Sequence, residues 1–143
     1  MVANMDTASR GRKFKLVTEG NAEIRIFRNG ELIRKVDAGY IAGDSFYLIV
    51  SDETYKEIVF VEFPEEVSEG EYTFNFDGYQ DSGPHPSFIR HEYDSKRFYM
   101  SGVCHLIASN AGREQKFQAD ATYEDGSDVM RVVMIGEVSR VFS

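Results

Sequence analysis

The chain has 143 residues, and 16 Lys and Arg stand against 24 Asp and Glu, so the formal net charge is -8. The length fits one domain, and an apolar fraction of 42% provides for a buried core, which excludes a globally disordered chain. The excess of acidic residues argues against nucleic acid as a partner, because phosphate backbones require clustered cations. No run of 18 apolar residues occurs, so no membrane span is predicted.

The first residues are polar, and we predict a flexible tail over 1–12 followed by a single domain over 13–143. The N-terminus has neither the basic segment nor the apolar segment of a secretory signal. Cys104 is the single cysteine, so no disulfide within the chain is expected. Together these features predict a cytoplasmic protein. No cofactor-binding motif is present, and no cofactor is expected.

Alternation of apolar and polar residues dominates the chain, which is the pattern of β-strands. The predicted strands are 13–18, 23–28, 31–36, 44–51, 56–63, 71–77, 87–93, 97–108, 117–123 and 129–142. The connections between them are too short for parallel crossovers. The sequence therefore predicts an all-β, single-domain antiparallel β-sandwich or barrel of about nine to ten strands.

The strongest local signal is Asn29-Gly30 between two alternating runs, which favours a two-residue type I′ hairpin. A regular register then pairs Arg28 with Glu31 and places Arg25 opposite Arg34. Two like charges across a ladder are unfavourable. An anion near Arg25 and Arg34 would offset this repulsion, whereas two solvated arginines fanning apart would not need one.

Two further segments carry specific expectations. In the run 56–63 both the odd and the even positions are apolar, as in strands that are buried on both faces. If this strand lay at a sheet edge, it would permit a homodimer by strand pairing. Gly136, inside the last strand, suggests a bulge that shifts the inward parity.

The negative charge is concentrated in the middle of the chain, because residues 52–94 hold twelve acidic and two basic residues. Eight of the 19 aromatic residues lie in the overlapping segment 72–99, which also contains the one long loop. Aromatic rings beside acidic groups suit a protein or glycan partner, although aromatic stripes are also typical of a core. The predicted ligand-binding residues are Tyr79, His85, His91, Tyr93, Asp77 and Asp81. We therefore expect a non-enzymatic binding module.

Two alternatives remain open at this level. A barrel would permit a small-ligand carrier with an internal cavity, as calycin-like barrels have. An enzyme that uses a metal would need His85, His91 and His105 to converge, but no metal-binding motif is present and no metal site is predicted. Cys104 shares strand parity with apolar residues, so we interpret it as a core residue and not as a nucleophile.

Overall fold

The computed structural model describes residues 16–81 and 83–142, and this part of the chain contains eleven strands and no helix. The strands are β1 (Leu16–Arg28), β2 (Glu31–Asp37), β3 (Tyr40–Gly43), β4 (Tyr47–Ser51), β5 (Glu57–Glu62), β6 (Gly70–Asp77), β7 (Phe88–Tyr93), β8 (Lys96–Tyr99), β9 (Ser101–Ser109), β10 (Glu114–Asp125) and β11 (Asp128–Phe142). The predicted tail at 1–12 lies outside the described residues.

The strands form two antiparallel sheets, one of six strands in the order β2-β1-β11-β10-β9-β6 and one of five in the order β3-β4-β5-β7-β8. The all-β antiparallel prediction is confirmed. The architecture is a sandwich, and the barrel alternative is wrong because the two sheets do not close on one another. Between the sheets lies an apolar core, in which Phe63 stacks on Phe74 at 5.5 Å between ring centroids.

The strand count differs from the prediction at three places. Residues 16–28 form one continuous strand, and the short strand β3 was not predicted. The segment predicted as one strand over 97–108 divides at Met100, which is fully buried. Before Met100 the chain pairs in the five-stranded sheet, and after it the chain pairs in the six-stranded sheet. The interruption therefore carries the chain across the core.

The Asn29-Gly30 hairpin is confirmed in its turn but not in its full register. Both turn residues have positive φ, 51° and 86°, as a type I′ turn requires. The register shifts between Ile26 and Phe27, so that Ile26 lies opposite Arg34 and Arg25 lies opposite Lys35. The predicted pairing of Arg25 with Arg34 is therefore wrong, because one extra residue of β2 forms a bulge.

Replacing Gly30 by alanine should lower the free energy of unfolding by about 1–2 kcal/mol, because an L side chain is unfavourable at positive φ. No atom lies within 4 Å of the position that the new Cβ would take, so the effect is conformational and not steric. Chemical denaturation measures it. Glu31→Ala is the control, since Glu31 is exposed beside the turn and is not among the residues with positive φ. Equal effects of the two substitutions would contradict the turn assignment.

One other sequence expectation is corrected, and the condition attached to a second is not met. The register of β11 runs without a shift past Gly136, which pairs with Ala22 and Phe117, so the predicted bulge is absent. A Cβ at Gly136 would lie 2.4 Å from the carbonyl oxygen of Asn21, and this close approach explains the glycine. Strand β5 lies between β4 and β7. It has no free edge for the strand-pairing homodimer that its apolar sequence suggested.

Candidate functional site

The two faces of strand β7 belong to different surroundings, and the predicted ligand-binding residues lie in both. His91 is fully buried between the sheets, and Tyr93 follows on the same face at the end of the strand. Phe88 and Arg90 point to the opposite, outer face of the five-stranded sheet, where Phe88 contacts Tyr79. The predicted residues therefore belong to two separate places and not to one site.

On the inner face, His91 links a carboxylate to a phenol. Its Nε2 contacts Glu57 Oε2 on the adjacent strand, and its Nδ1 lies 2.8 Å from the hydroxyl of Tyr123 on the opposite sheet. With Glu57 ionised, Nε2–H donates to the carboxylate. Nδ1 and the Tyr123 hydroxyl share a second hydrogen bond, in which the protonation of the ring decides which group donates. We call Glu57, His91 and Tyr123 the buried triad.

The β2 bulge brings Arg34 to the buried triad. Ile26 points into the core, so its partner Arg34 lies on the same face of the sheet. Arg34 Nε donates to Glu57 Oε1 at 2.8 Å, and Nη2 donates to Oε2 at 3.2 Å. The guanidinium also stacks on Tyr93, with 3.9 Å between its central carbon and the ring centroid. An unbulged register would have left Arg34 on the outer face.

The loop before β5 holds Glu57 in place. Asp52 Oδ1 accepts hydrogen bonds from the backbone N–H groups of Lys56 and Glu57, at 2.9 and 3.1 Å. Burial alone would raise the pKa of the Asp52 carboxyl. The hydrogen bond from Thr54 and those from the loop backbone outweigh burial, and they lower this pKa. The ionised carboxylate thus stabilises the loop from which Glu57 projects inward.

The charges around the buried triad oppose the effect of burial on Glu57. Burial raises the pKa of its carboxyl, but the hydrogen bonds and charges of His91 and Arg34 lower it more, so the pKa lies below its usual 4.5. Burial also raises the pKa of the Tyr123 phenol to about 12, and the charges of Asp125 and Glu57 add to this effect. At neutral pH Glu57 is therefore ionised and Tyr123 keeps its proton.

The stability of the protein should fall in acid partly through Glu57. The pKa of the Glu57 carboxyl is lower in the folded protein than in the unfolded chain, where it is 4.5. The stability that the ionised carboxylate provides is therefore complete above pH 4.5 and is lost as the pH falls through the folded-state pKa. We expect the free energy of unfolding of Glu57→Gln to depend less on pH than that of the wild type below about pH 5. Denaturation at a series of pH values measures this. Identical slopes for the two proteins, with Glu65→Gln as the exposed control, would contradict it.

Beside the buried triad, a cleft of about 190 Å³ lies at one end of the sandwich, near the β1–β2, β7–β8 and β10–β11 turns. We call it the end cleft. Tyr123 and Arg34 connect it to the triad. Both sheets contribute to its lining, which consists of Arg28, Arg34, Tyr93, Asp94, Lys96, Phe98, Tyr123, Asp125 and Met130.

The outer face of the five-stranded sheet carries a continuous group of aromatic rings. Phe88 lies at its centre, with ring centroids of Phe60, Tyr79 and Tyr99 between 5.3 and 5.7 Å away. Tyr47 extends the group beyond Phe60, at 5.9 Å. We call these five residues and Arg90 the aromatic face. Tyr79 is 50% exposed and Tyr99 is 41% exposed, so two of the rings are open to solvent.

Arg90 lies among these rings, and its one ion-pair partner in the described part of the chain, Glu92, is distant. Its central carbon is 5.0 Å from the Phe60 centroid, 5.5 Å from that of Phe88 and 6.0 Å from that of Tyr99. The nearest carboxylate oxygen, on Glu92, is 4.0 Å away, beyond hydrogen-bonding distance. The Arg90 Nε is buried and has no hydrogen-bond partner among the described residues. Unpaired donors of this kind are rare in folded proteins.

Acidic groups and His85 lie beside the aromatic face. Burial raises the pKa of the Glu62 carboxyl, and the charge of Asp44 acts in the same direction, against His85 and Arg90. His85 is exposed, with its ring 5.1 Å from that of Phe46. Of the other predicted residues, Asp77 is exposed and accepts a hydrogen bond from Ser101, and Asp81 is exposed in the loop.

The three histidines do not converge. His91 is buried between the sheets, His85 lies in an exposed loop, and His105 is exposed and paired with Thr73 at 3.1 Å. Within residues 16–81 and 83–142, no group of three or more His, Cys, Asp or Glu could hold a metal ion. Cys104 is buried, and burial raises the pKa of its thiol to about 12, which leaves it protonated and unreactive.

The two arginines predicted to share an anion lie on opposite faces of the six-stranded sheet. Arg25 is exposed and forms an ion pair with Glu23, which also pairs with Lys35 at 3.3 Å. Arg34 binds Glu57 on the inner face, so the anion expected near it is a carboxylate of the chain itself.

Sequence reasoning missed Glu57, Tyr123 and Arg90 as site residues. A signal for Arg90 was available, because it shares strand parity with the aromatic Phe88 in an otherwise acidic segment. Glu57 and Tyr123 reach His91 across 34 and 32 positions of sequence, and only the strand register brings them together.

The chain matches no protein-family model, no curated protein and no solved structure. In the part of the chain that the structure describes, no helix is long and apolar enough to cross a membrane.

Proposed function

We propose that the protein is a non-enzymatic binding module that recognises a glycan through the aromatic face. The observation that carries this proposal is the position of Arg90, whose guanidinium is enclosed by three aromatic rings and whose buried Nε makes no hydrogen bond to the described part of the chain. Leaving a buried donor unpaired costs about 1–3 kcal/mol. A ligand oxygen near this group would recover part of that free energy.

A sugar ring matches the chemistry of the aromatic face. Its C–H groups are apolar and pack on the faces of aromatic rings, which Tyr79 and Tyr99 offer to solvent. Its hydroxyl groups both donate and accept hydrogen bonds. The acceptors that they need are the carboxylates of Glu62 and Glu92, whose strand parity places them on the same outer face as Arg90.

A protein partner is the second candidate, and the composition of the aromatic face favours it. Tyrosine and arginine are enriched at the centres of protein interfaces. The acidic segment 52–94 would then select a partner with a basic surface. Screening the purified protein on a glycan array distinguishes the two candidates, because the array contains no protein partner.

We expect wild-type protein to bind a defined group of glycans on the array. Tyr99→Ala and Arg90→Met should each weaken that binding by about tenfold or more, since each removes one recognition element. Ile135→Ala is the matched control, because Ile135 is 52% exposed on the other sheet. Its binding should equal that of the wild type.

Two results would overturn the glycan proposal. One is the absence of binding to every glycan on the array by a folded wild-type protein, which would leave the protein partner as the better candidate. The other is glycan binding that Tyr99→Ala and Arg90→Met leave unchanged while both variants retain the wild-type circular dichroism spectrum.

A further inference from the structure

We propose that the end cleft is a second binding site, which takes a small zwitterion of the amino-acid class. It is distinct from the aromatic face, because the residues that line it come from the facing sides of the two sheets and from the turns at one end. The volume of about 190 Å³ is below that of ordinary ligand pockets, so the cleft has room only for a small molecule.

The charges of the end cleft are balanced, which argues against a ligand of one sign. Three cationic side chains, Arg28, Arg34 and Lys96, face two anionic ones, Asp94 and Asp125. Glu57 neutralises Arg34 through two hydrogen bonds. A purely anionic ligand would meet both aspartates, and a purely cationic ligand would meet Arg28 and Lys96.

The groups that remain available are of both signs. Lys96, Asp94 and Asp125 form no ion pair with one another or with any other described residue, whereas Arg28 forms an ion pair with Asp128 at 3.6 Å. A ligand carboxylate can therefore bind at Lys96 while a ligand ammonium binds at Asp94 and Asp125. Such paired recognition is unavailable to a molecule that carries only one of the two charges.

The remaining walls are apolar and supported from behind. Phe98 stacks on Tyr123 at 4.3 Å, and Met130 completes this side of the lining. The hydroxyl of Tyr123 is held by His91, and the ring of Tyr93 is held under Arg34. The buried triad thus acts as a positioning element, which fixes the aromatic walls before a ligand arrives. Those walls favour an amino acid with an apolar side chain.

The test is isothermal titration calorimetry with three related probes. L-Phenylalanine carries both charges, 3-phenylpropanoate lacks the ammonium group, and 2-phenylethylamine lacks the carboxylate. The other standard L-amino acids with apolar side chains extend the series. We expect L-phenylalanine to bind and the two single-charge probes to bind at least tenfold more weakly than L-phenylalanine.

Variants locate the binding. Lys96→Gln and Asp125→Asn should each weaken it by tenfold or more, and neither removes a contact of the fold, because both side chains are exposed and unpaired. Lys116→Gln, on the outer face of the six-stranded sheet, is the control and should bind as the wild type does. The proposal is overturned if L-phenylalanine does not bind, if a single-charge probe binds as tightly as L-phenylalanine, or if both cleft variants retain full affinity.

Discussion

Replacing Glu57 by alanine should lower the free energy of unfolding by about 3–5 kcal/mol, since this is the usual effect of removing one partner of a buried ion pair. Glu57 is 3% exposed and accepts hydrogen bonds from both His91 and Arg34. The substitution leaves a buried imidazole and a partly buried guanidinium without their common acceptor. Equilibrium denaturation by urea measures the change.

Glu65→Ala is the matched control for this substitution. Glu65 is exposed in the loop after β5, and its replacement should change the free energy of unfolding by less than about 0.5 kcal/mol. A Glu57→Ala protein as stable as the Glu65→Ala protein would show that the buried triad does not stabilise the fold.

Replacing Phe63 by alanine should have a similar effect, about 3–5 kcal/mol, for a different reason. Phe63 is fully buried just beyond β5, and its ring stacks on Phe74 of the opposite sheet. The substitution removes apolar contacts between the two sheets and leaves a cavity that the surrounding strands cannot fill. The melting temperature and the urea midpoint should both fall.

Phe46→Ala is the control for Phe63→Ala, because it also removes a phenylalanine ring but at a partly exposed position. Phe46 is 36% exposed, and its replacement should reduce stability by less than about 1 kcal/mol. A loss for Phe63→Ala no larger than that for Phe46→Ala would mean that the sheets are not packed through Phe63, which would contradict the sandwich.

The fold class was predictable from local sequence patterns. The places where the predicted strands or register were wrong have physical causes. Asn29-Gly30 determines its own turn, because positive φ is accessible to both residues. The bulge next to it escaped prediction because Leu32 and Ile33 are both apolar and their parity is ambiguous. The division at Met100 also left no local mark, since the alternation of side chains continues through it while the strand partners change.

The sequence places the dense aromatic segment along the chain but does not show how its residues are arranged. The dense aromatic segment did contain Tyr79, Phe88 and Tyr99, which form much of the aromatic face. The partners of His91 came from distant strands, and no spacing rule connects Glu57 to it. Pairing across a sheet or between sheets is fixed by the global register, to which each local segment contributes only a part.

The most direct test of the aromatic face as the binding surface is a ¹H–¹⁵N NMR titration of the arginine Nε–H signals with a glycan identified on the array. We predict that the Arg90 signal shifts and that its exchange with water slows. The Arg131 signal should not change, because its guanidinium already donates to both oxygens of Asp120, at 2.9 and 2.7 Å, on the other sheet. An unchanged Arg90 signal at saturating glycan, or a shift confined to Arg131 and its neighbours, would contradict the proposed surface.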